Sequence, residues 1–204
     1  MSEKDAFEHW QQRFAGDDYR FGTEPNVFLK AQAHLLLKGQ TALAIADGEG
    51  RNGVFLAEQG LDVLSVDFSP NAQAKARKLA AARGVTMRVE QVDIVDWDWP
   101  ANAFDVIAAI FFQFTGPAGR GKIFAGNKNA LKPGGLLLLE GYRPKQLDYK
   151  TGGPSKIENF YTRELLEAAF ADFASIDIRE YDAQISEGPG HVGPSALIDL
   201  VGRK

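Results

Sequence analysis

The sequence predicts an α/β protein built as a doubly wound, mostly parallel sheet with helices on both faces. Three observations carry that expectation. After a front segment that ends near Leu37, short and nearly continuous apolar runs alternate with helical patterns, the composition that parallel strands buried on both faces require. A strand–helix–strand alternation of this kind closes by right-handed crossovers. The last two strand candidates have no helix between them, so they pair antiparallel.

Element by element, the parallel strands fall at Ala42–Ala46, Asp62–Val66, Met87–Val92, Val106–Phe112 and Leu136–Glu140. Between them, a helix is expected from Arg51 to Gln59, stopped by Gly60. The next, Pro70–Arg83, has Ser69 as N-cap, Pro70 at its first position and Gly84 as stop, with Ala72, Ala76, Leu79 and Ala80 on one face. A third lies between Pro117 and Leu131 and ends at Lys132-Pro133-Gly134-Gly135. Thr162 can cap a helix through about Phe170. Strands at Ser175–Arg179 and Ala196–Val201 follow, separated by the turn-rich SEGPGHVGPS. The run YKTGGPSK, Tyr149 to Lys156, reads as a mobile loop.

Composition narrows the function classes. The chain has 204 residues, 45% hydrophobic and 25% charged, which suits one domain over 1–204 with a sizeable core. A formal net charge of -4 gives no general attraction to nucleic acid or to an anionic membrane. With no cysteine there is neither a disulfide framework nor a thiolate metal site, and no metal is expected. The start, MSEKDAFEHW, lacks the basic and apolar runs of a signal peptide, so a cytoplasmic location is expected. No seam or interface patch reveals an oligomeric state.

The chemistry converges on one sheet edge. The stretch IADGEGRNG contains Gly48-Glu49-Gly50-Arg51-Asn52-Gly53, a literal G-x-G-x-x-G match. Asp67 follows Gly48 by nineteen residues, the spacing that brings an acid at the tip of strand two onto a ribose diol. Phe68 stands beside it in the same turn. Asp93 follows strand three, and Ile110 and Phe111 end strand four. In an open α/β sheet these carboxyl ends share one ligand crevice. Asp47 and Glu49, however, crowd the glycine turn with negative charge that a pyrophosphate would reject.

The ordered runs ALAIADGEGRNGVFLA, VLSVDFSP, QVDIVDWD, FDVIAAIFFQF and LKPGGLLLLEGY resemble the motif series of class I S-adenosylmethionine-dependent methyltransferases. The front WQQRFAGDDYRFGTEPNVFL is similar to the lead-in of a bacterial subgroup related to tellurite-resistance and thiopurine methyltransferases. The resemblance implies the Rossmann-like methyltransferase fold, seven strands with the last antiparallel, and S-adenosyl-L-methionine as cofactor. Carried over by position, Gly48 and Gly50 would let backbone approach the methionine part, Asp67 would hold the ribose, and Asp93 and Ile94 would flank the adenine. Ile110 and Phe111 would line the sulfonium side. Phe21 and Gly22 would close over the cofactor as part of a covering segment, residues 1–37. The usual turn reads D-x-G-x-G-x-G; here Ala44 replaces its first acid and Ala46 its first glycine.

S-adenosylmethionine carries an ammonium and a sulfonium but no phosphate, so the acids fit it: Asp47 or Glu49 is expected to face the ammonium, and Arg13, with Arg51 as second choice, the carboxylate. Arg51 and Glu49 as an exposed ion pair is the other reading of that couple. In-line methyl transfer to a small-molecule acceptor is the expected function, with a thiol, selenium or tellurium oxyanion as the nucleophile that needs no strong base. Should a base be needed, His191 and Tyr142 are the candidates, with His9 behind them. The competing readings are a non-catalytic S-adenosylmethionine-binding module and an NAD-dependent oxidoreductase.

Overall fold

In a computed structural model, the structure describes residues 3–204, with side chains from Phe7 onward; the first two residues of the expected covering segment lie outside the described residues. The front segment holds two helices, α1 (Glu3–Arg13) and α2 (Val27–Ala31). Then follow β1 (Thr41–Ile45), α3 (Arg51–Glu58), β2 (Asp62–Asp67), α4 (Pro70–Ala82), β3 (Arg88–Gln91), β4 (Phe104–Ile110), α5 (Pro117–Ala130) and β5 (Leu131–Tyr142). The chain closes with α6 (Gln146–Tyr149), α7 (Arg163–Ala169), β6 (Ser175–Ser186) and β7 (Val192–Arg203).

One seven-stranded sheet runs in the order β3-β2-β1-β4-β5-β7-β6. The ladders from β3 across to β5 are parallel, and β7 is antiparallel to both β5 and β6. This is the expected mostly parallel, doubly wound fold with its last strand reversed. Side-chain alternation in β1 builds the two cores: Leu43 and Ile45 pack with Ile123, Phe124 and Leu166 of α5 and α7. Ala42 and Ala44 pack with Phe28, Phe55 and Leu56 of α2 and α3 on the opposite face. The strand order reverses between β1 and β4, which opens a crevice at the carboxyl ends there.

Helix ends follow their caps. Ser69 accepts from the Ala72 amide and Pro70 opens α4; Thr162 accepts from Leu165 at the start of α7. Two expectations shift. Lys132–Gly135 does not stop α5 as a separate turn; it is a bulge inside β5, between Leu131 opposite Phe104 and Leu136 opposite Val106. Half of SEGPGHVGPS is strand as well, because Ser186 pairs with Val192 and the β6–β7 connection shrinks to Glu187–His191.

Candidate functional site

A cavity of about 370 Å³ opens at the carboxyl ends of β1, β2 and β4. Its floor is the turn after β1. Gly50, at φ 88°, is the left-handed cap of α3, and an added Cβ would come within 2.6 Å of Ala76 in α4. Only glycine combines that backbone with that approach. The turn then swings back to β2, where the Gly48 amide donates to Asp67 Oδ2 at 2.9 Å while Ser69 N donates to Oδ1 at 2.8 Å. The nineteen-residue spacing is thus a direct hydrogen bond. Burial pushes the Asp67 carboxyl up to about 6 against those amide bonds.

Gly48, Asp67, Phe68, Ile110, Phe111, Arg13 and Phe21 all line the cavity, together with His191 and Tyr142. Other expected site residues stand elsewhere. Asp93 is exposed and accepts from its own turn, Val95 N at 3.0 Å, and Ile94 is buried in the core on the α5 side; neither lines the cavity. Gly22 also stays out of it. Its backbone packs on Gly188, where an added Cβ would come within 2.2 Å of Gly22 N, and Gly190 N donates to Arg20 O at 2.8 Å. Gly22 therefore fastens the front segment to the β6–β7 loop.

The two acids of the turn have partners of their own. Asp47 Oδ2 accepts from Ser65 Oγ at 2.6 Å, and Gly53 N donates to the same carboxylate at 3.2 Å. Burial nonetheless pushes its carboxyl up to about 7. Glu49 pairs with Lys75 Nζ at 2.7 Å and accepts from Phe21 N at 3.3 Å. Asp47 lines the cavity with these partners in place, whereas Glu49 is not among the residues that line it. The exposed Arg51–Glu49 pair is likewise absent from the described contacts. Arg51 is buried and pairs with Glu187 Oε2 at 2.7 Å.

Glu187 is the residue that local reading missed. Besides Arg51 it accepts from Asn26 Nδ2 at 3.2 Å and Val27 N at 3.1 Å, and its Oε2 lies 3.4 Å from His191 Nδ1. Burial alone would raise its carboxyl, but the His191 hydrogen bond and the Arg51 charge overcome that and hold it at about 2. On the other side of the imidazole, Nε2 meets the Tyr142 hydroxyl in a short hydrogen bond. The Phe111 ring lies 4.5 Å from the His191 ring and 4.8 Å from that of Tyr142. Burial raises the Tyr142 phenol well above its usual range, with Glu140 and Glu187 adding to the effect.

Unpartnered polar atoms show what the cavity lacks. Among the described residues, Arg51 Nη1 and Arg13 Nε are buried without a hydrogen-bond partner, and both side chains line the cavity. Buried guanidinium donors are normally satisfied, and an entering carboxylate is the group that satisfies them best. Arg13 is also desolvated beside Arg20, which lowers its pKa. With the glycine turn and Asp67, these atoms fit S-adenosylmethionine: Asp67 would take the ribose hydroxyls and the arginines the amino-acid carboxylate. Among the described residues no group of three or more His, Asp or Glu could hold a metal ion, and no helix is long and apolar enough to cross a membrane.

Comparison with known proteins bears on the same region. Residues 42–135 match the family model described as "Methyltransferase domain". The chain is 34% identical over 104 residues to demethylmenaquinone methyltransferase of Thermus thermophilus, covering 50% of this chain and 47% of that protein. It is 34% identical over 131 residues to glycine/sarcosine N-methyltransferase of Halorhodospira halochloris, covering 60% and 47%. The chain spans about half the length of these relatives. The structure of TehB from Haemophilus influenzae superposes with a TM-score of 0.69 at 16% identity, covering 98% of this chain and 67% of that one; that likeness is one of fold. Residues 42–135 thus match a methyltransferase domain, the sheet has the Rossmann-like methyltransferase fold, and together they imply S-adenosyl-L-methionine as the cofactor.

Proposed function

We propose that the protein binds S-adenosylmethionine in this cavity and transfers its methyl group to a small-molecule acceptor. The observation that carries the reading is the pair of unpartnered guanidinium nitrogens, Arg51 Nη1 and Arg13 Nε, in a cavity that also holds the Gly48 turn and Asp67. A zwitterionic amino acid joined to a ribose meets each of these groups with a complementary one. When bound, the cofactor supplies an electrophilic methyl on a cationic sulfur. The chain's part is to orient the reactants and keep water out, which it does with aromatic walls, Phe68, Phe111 and Phe114, and with the front segment, whose Phe21 lines the cavity.

Small acceptors suit the enclosed volume, and the named substrates of the relatives, glycine or sarcosine and demethylmenaquinone, are small molecules too. The front segment's resemblance to the tellurite-resistance and thiopurine subgroup extends the candidates to thiols and to selenium or tellurium oxyanions. Isothermal calorimetry with S-adenosylhomocysteine tests the cofactor assignment. Saturable binding is expected, weakened ~10-fold or more by Arg51→Met through loss of a charge-assisted hydrogen bond, with none for NADH. Binding of NADH in place of S-adenosylhomocysteine would return the glycine turn to a dinucleotide role.

A further inference from the structure

A base is idle for an acceptor that is already an anion. The cavity wall nevertheless carries a complete hydrogen-bonded chain in which Glu187, His191 and Tyr142 follow one another, each buried. The carboxylate on Nδ1 makes that nitrogen the protonated one, so Nε2 is left to accept from the Tyr142 hydroxyl. Glu187 is in turn fixed by Arg51, Asn26 and the Val27 amide. His191 is held from the backbone as well: Glu187 N donates to His191 O, and His191 N donates to Gly188 O.

We propose that Tyr142 and His191 form a proton relay, positioned by Glu187, and that the acceptor is therefore a nucleophile that must lose a proton, an amine or a phenol, not a preformed thiolate or oxyanion. This rests on the methyl-transfer reading and sharpens its substrate class. The atoms balance as follows: the acceptor's lone pair bonds to carbon while the carbon–sulfur bond breaks onto sulfur. The acceptor's proton passes to Tyr142 Oη, and the Tyr142 proton moves to His191 Nε2. The imidazolium faces the Glu187 carboxylate and later releases its proton to water. Tyr142 never carries charge, as its burial demands. Tyr142 and His191 are the catalytic residues; Glu187 is a positioning residue.

The relay places Phe111 at the reacting end, since its ring touches both members, and Phe111 is a residue that the family resemblance puts beside the sulfonium. The groups around His191 are Tyr142 from β5, Glu187 of its own loop, Arg51 of α3 behind Glu187, and the front segment's Arg20, whose side chain packs at Gly190. An imidazolium so placed has one carboxylate in contact and Arg51 beyond it.

The test compares wild type with Tyr142→Phe and His191→Asn. Methyl-labelled S-adenosylmethionine is offered with sarcosine, catechol, thiophenol, selenite and a filtered small-molecule cell extract. Label on nitrogen or oxygen is expected, with kcat lowered ~100-fold or more in both variants, an acid limb in the wild-type pH–rate profile that is lost in His191→Asn, and unchanged calorimetric affinity for S-adenosylhomocysteine. Label on sulfur or selenium, at rates the variants keep, overturns the relay and leaves methyl transfer standing. No S-adenosylhomocysteine from any acceptor, in protein that binds the cofactor, overturns the transfer reading and the relay with it. Proton and nitrogen NMR of the free protein gives a readout without turnover. The Nδ1-protonated tautomer is expected, and the Nε2-protonated tautomer sinks the relay by itself.

Discussion

Ala46 adopts a left-handed backbone, φ 45°, between β1 and the glycine turn. Where the family pattern places glycine, the Cβ of alanine meets its own carbonyl. Removing it gains about 1–2 kcal/mol, and the larger unfolded-state freedom of glycine takes back about 0.4–1 kcal/mol. Ala46→Gly is therefore expected to stabilise the protein by about 0.5–1 kcal/mol, read as a higher urea midpoint at unchanged slope. A lowered midpoint would mean that the turn holds no strain. Ala44, the other departure, has a different cause: it is buried among Phe55, Ala108 and Leu138, where the acid of the family pattern would be a charge in an apolar layer. Asp47 one turn later fills a polar role locally, by accepting from Ser65 and Gly53. In this chain the acid next to the glycines organises the turn, and the open donors of the cavity are arginines.

The junction of α3 with α4 sets how far the turn can move. Gly50 brings the start of α3 against Ala76, and a Cβ there would also stand 2.7 Å from Ala76 Cα. Gly50→Ala combines overpacking with a left-handed alanine, for an expected loss of about 2–4 kcal/mol. Chemical denaturation of the single variant and of the same change in an Ala76→Gly background checks the cause, because the second glycine removes the 2.6 Å contact with Cβ though not the approach to Cα, and the two effects should then be partly less than additive. Strict additivity would move the cost elsewhere. Helices such as α4 were legible in the sequence, because Ser69, Pro70 and Gly84 act on their nearest backbone neighbours. The bulge in β5 and the full lengths of β6 and β7 were not. Pro133, Gly134, Gly193 and Pro194 are locally turn-formers; the pairs of Phe104 with Leu131 and Val106 with Leu136 on either side carry the first two inside β5, and Ile185 and Gln184 of β6 hold the last two in a ladder.

Across the whole molecule, Gly48 and Asp67 could be read in advance because one strand, one helix and one turn separate them. Arg51 and Glu187 are 136 positions apart, and Asn26 and Glu140 are 114 apart; no periodicity announces pairs that only the closed sheet brings together. The same closure buries carboxyl groups, and this governs stability against pH. Burial raises Asp47 to about 7 from an ordinary 3.8 and Asp67 to about 6. Glu140 and Asp199 face each other across β5 and β7 with the Tyr181 hydroxyl between them; burial, then mutual repulsion, raises Glu140, and burial raises Asp199 to about 6. Each of these acids keeps its proton longer folded than unfolded. The folded state thus binds more protons between about pH 4 and pH 7, and stability falls as pH rises through that window. Glu187 works in the opposite sense: at about 2 in the fold, its contribution is complete above the ordinary glutamate range and is lost as pH falls toward its folded value. Urea unfolding should accordingly give a larger free energy at about pH 5.5 than at about pH 8, and a decline again below about pH 4. Asp47→Asn should flatten the upper limb, since an amide still accepts from Gly53 and can donate to Ser65 without a charge to bury. An unfolding free energy that rises from about pH 5.5 to about pH 8 would show that the buried carboxyls are ionised at no cost to the fold.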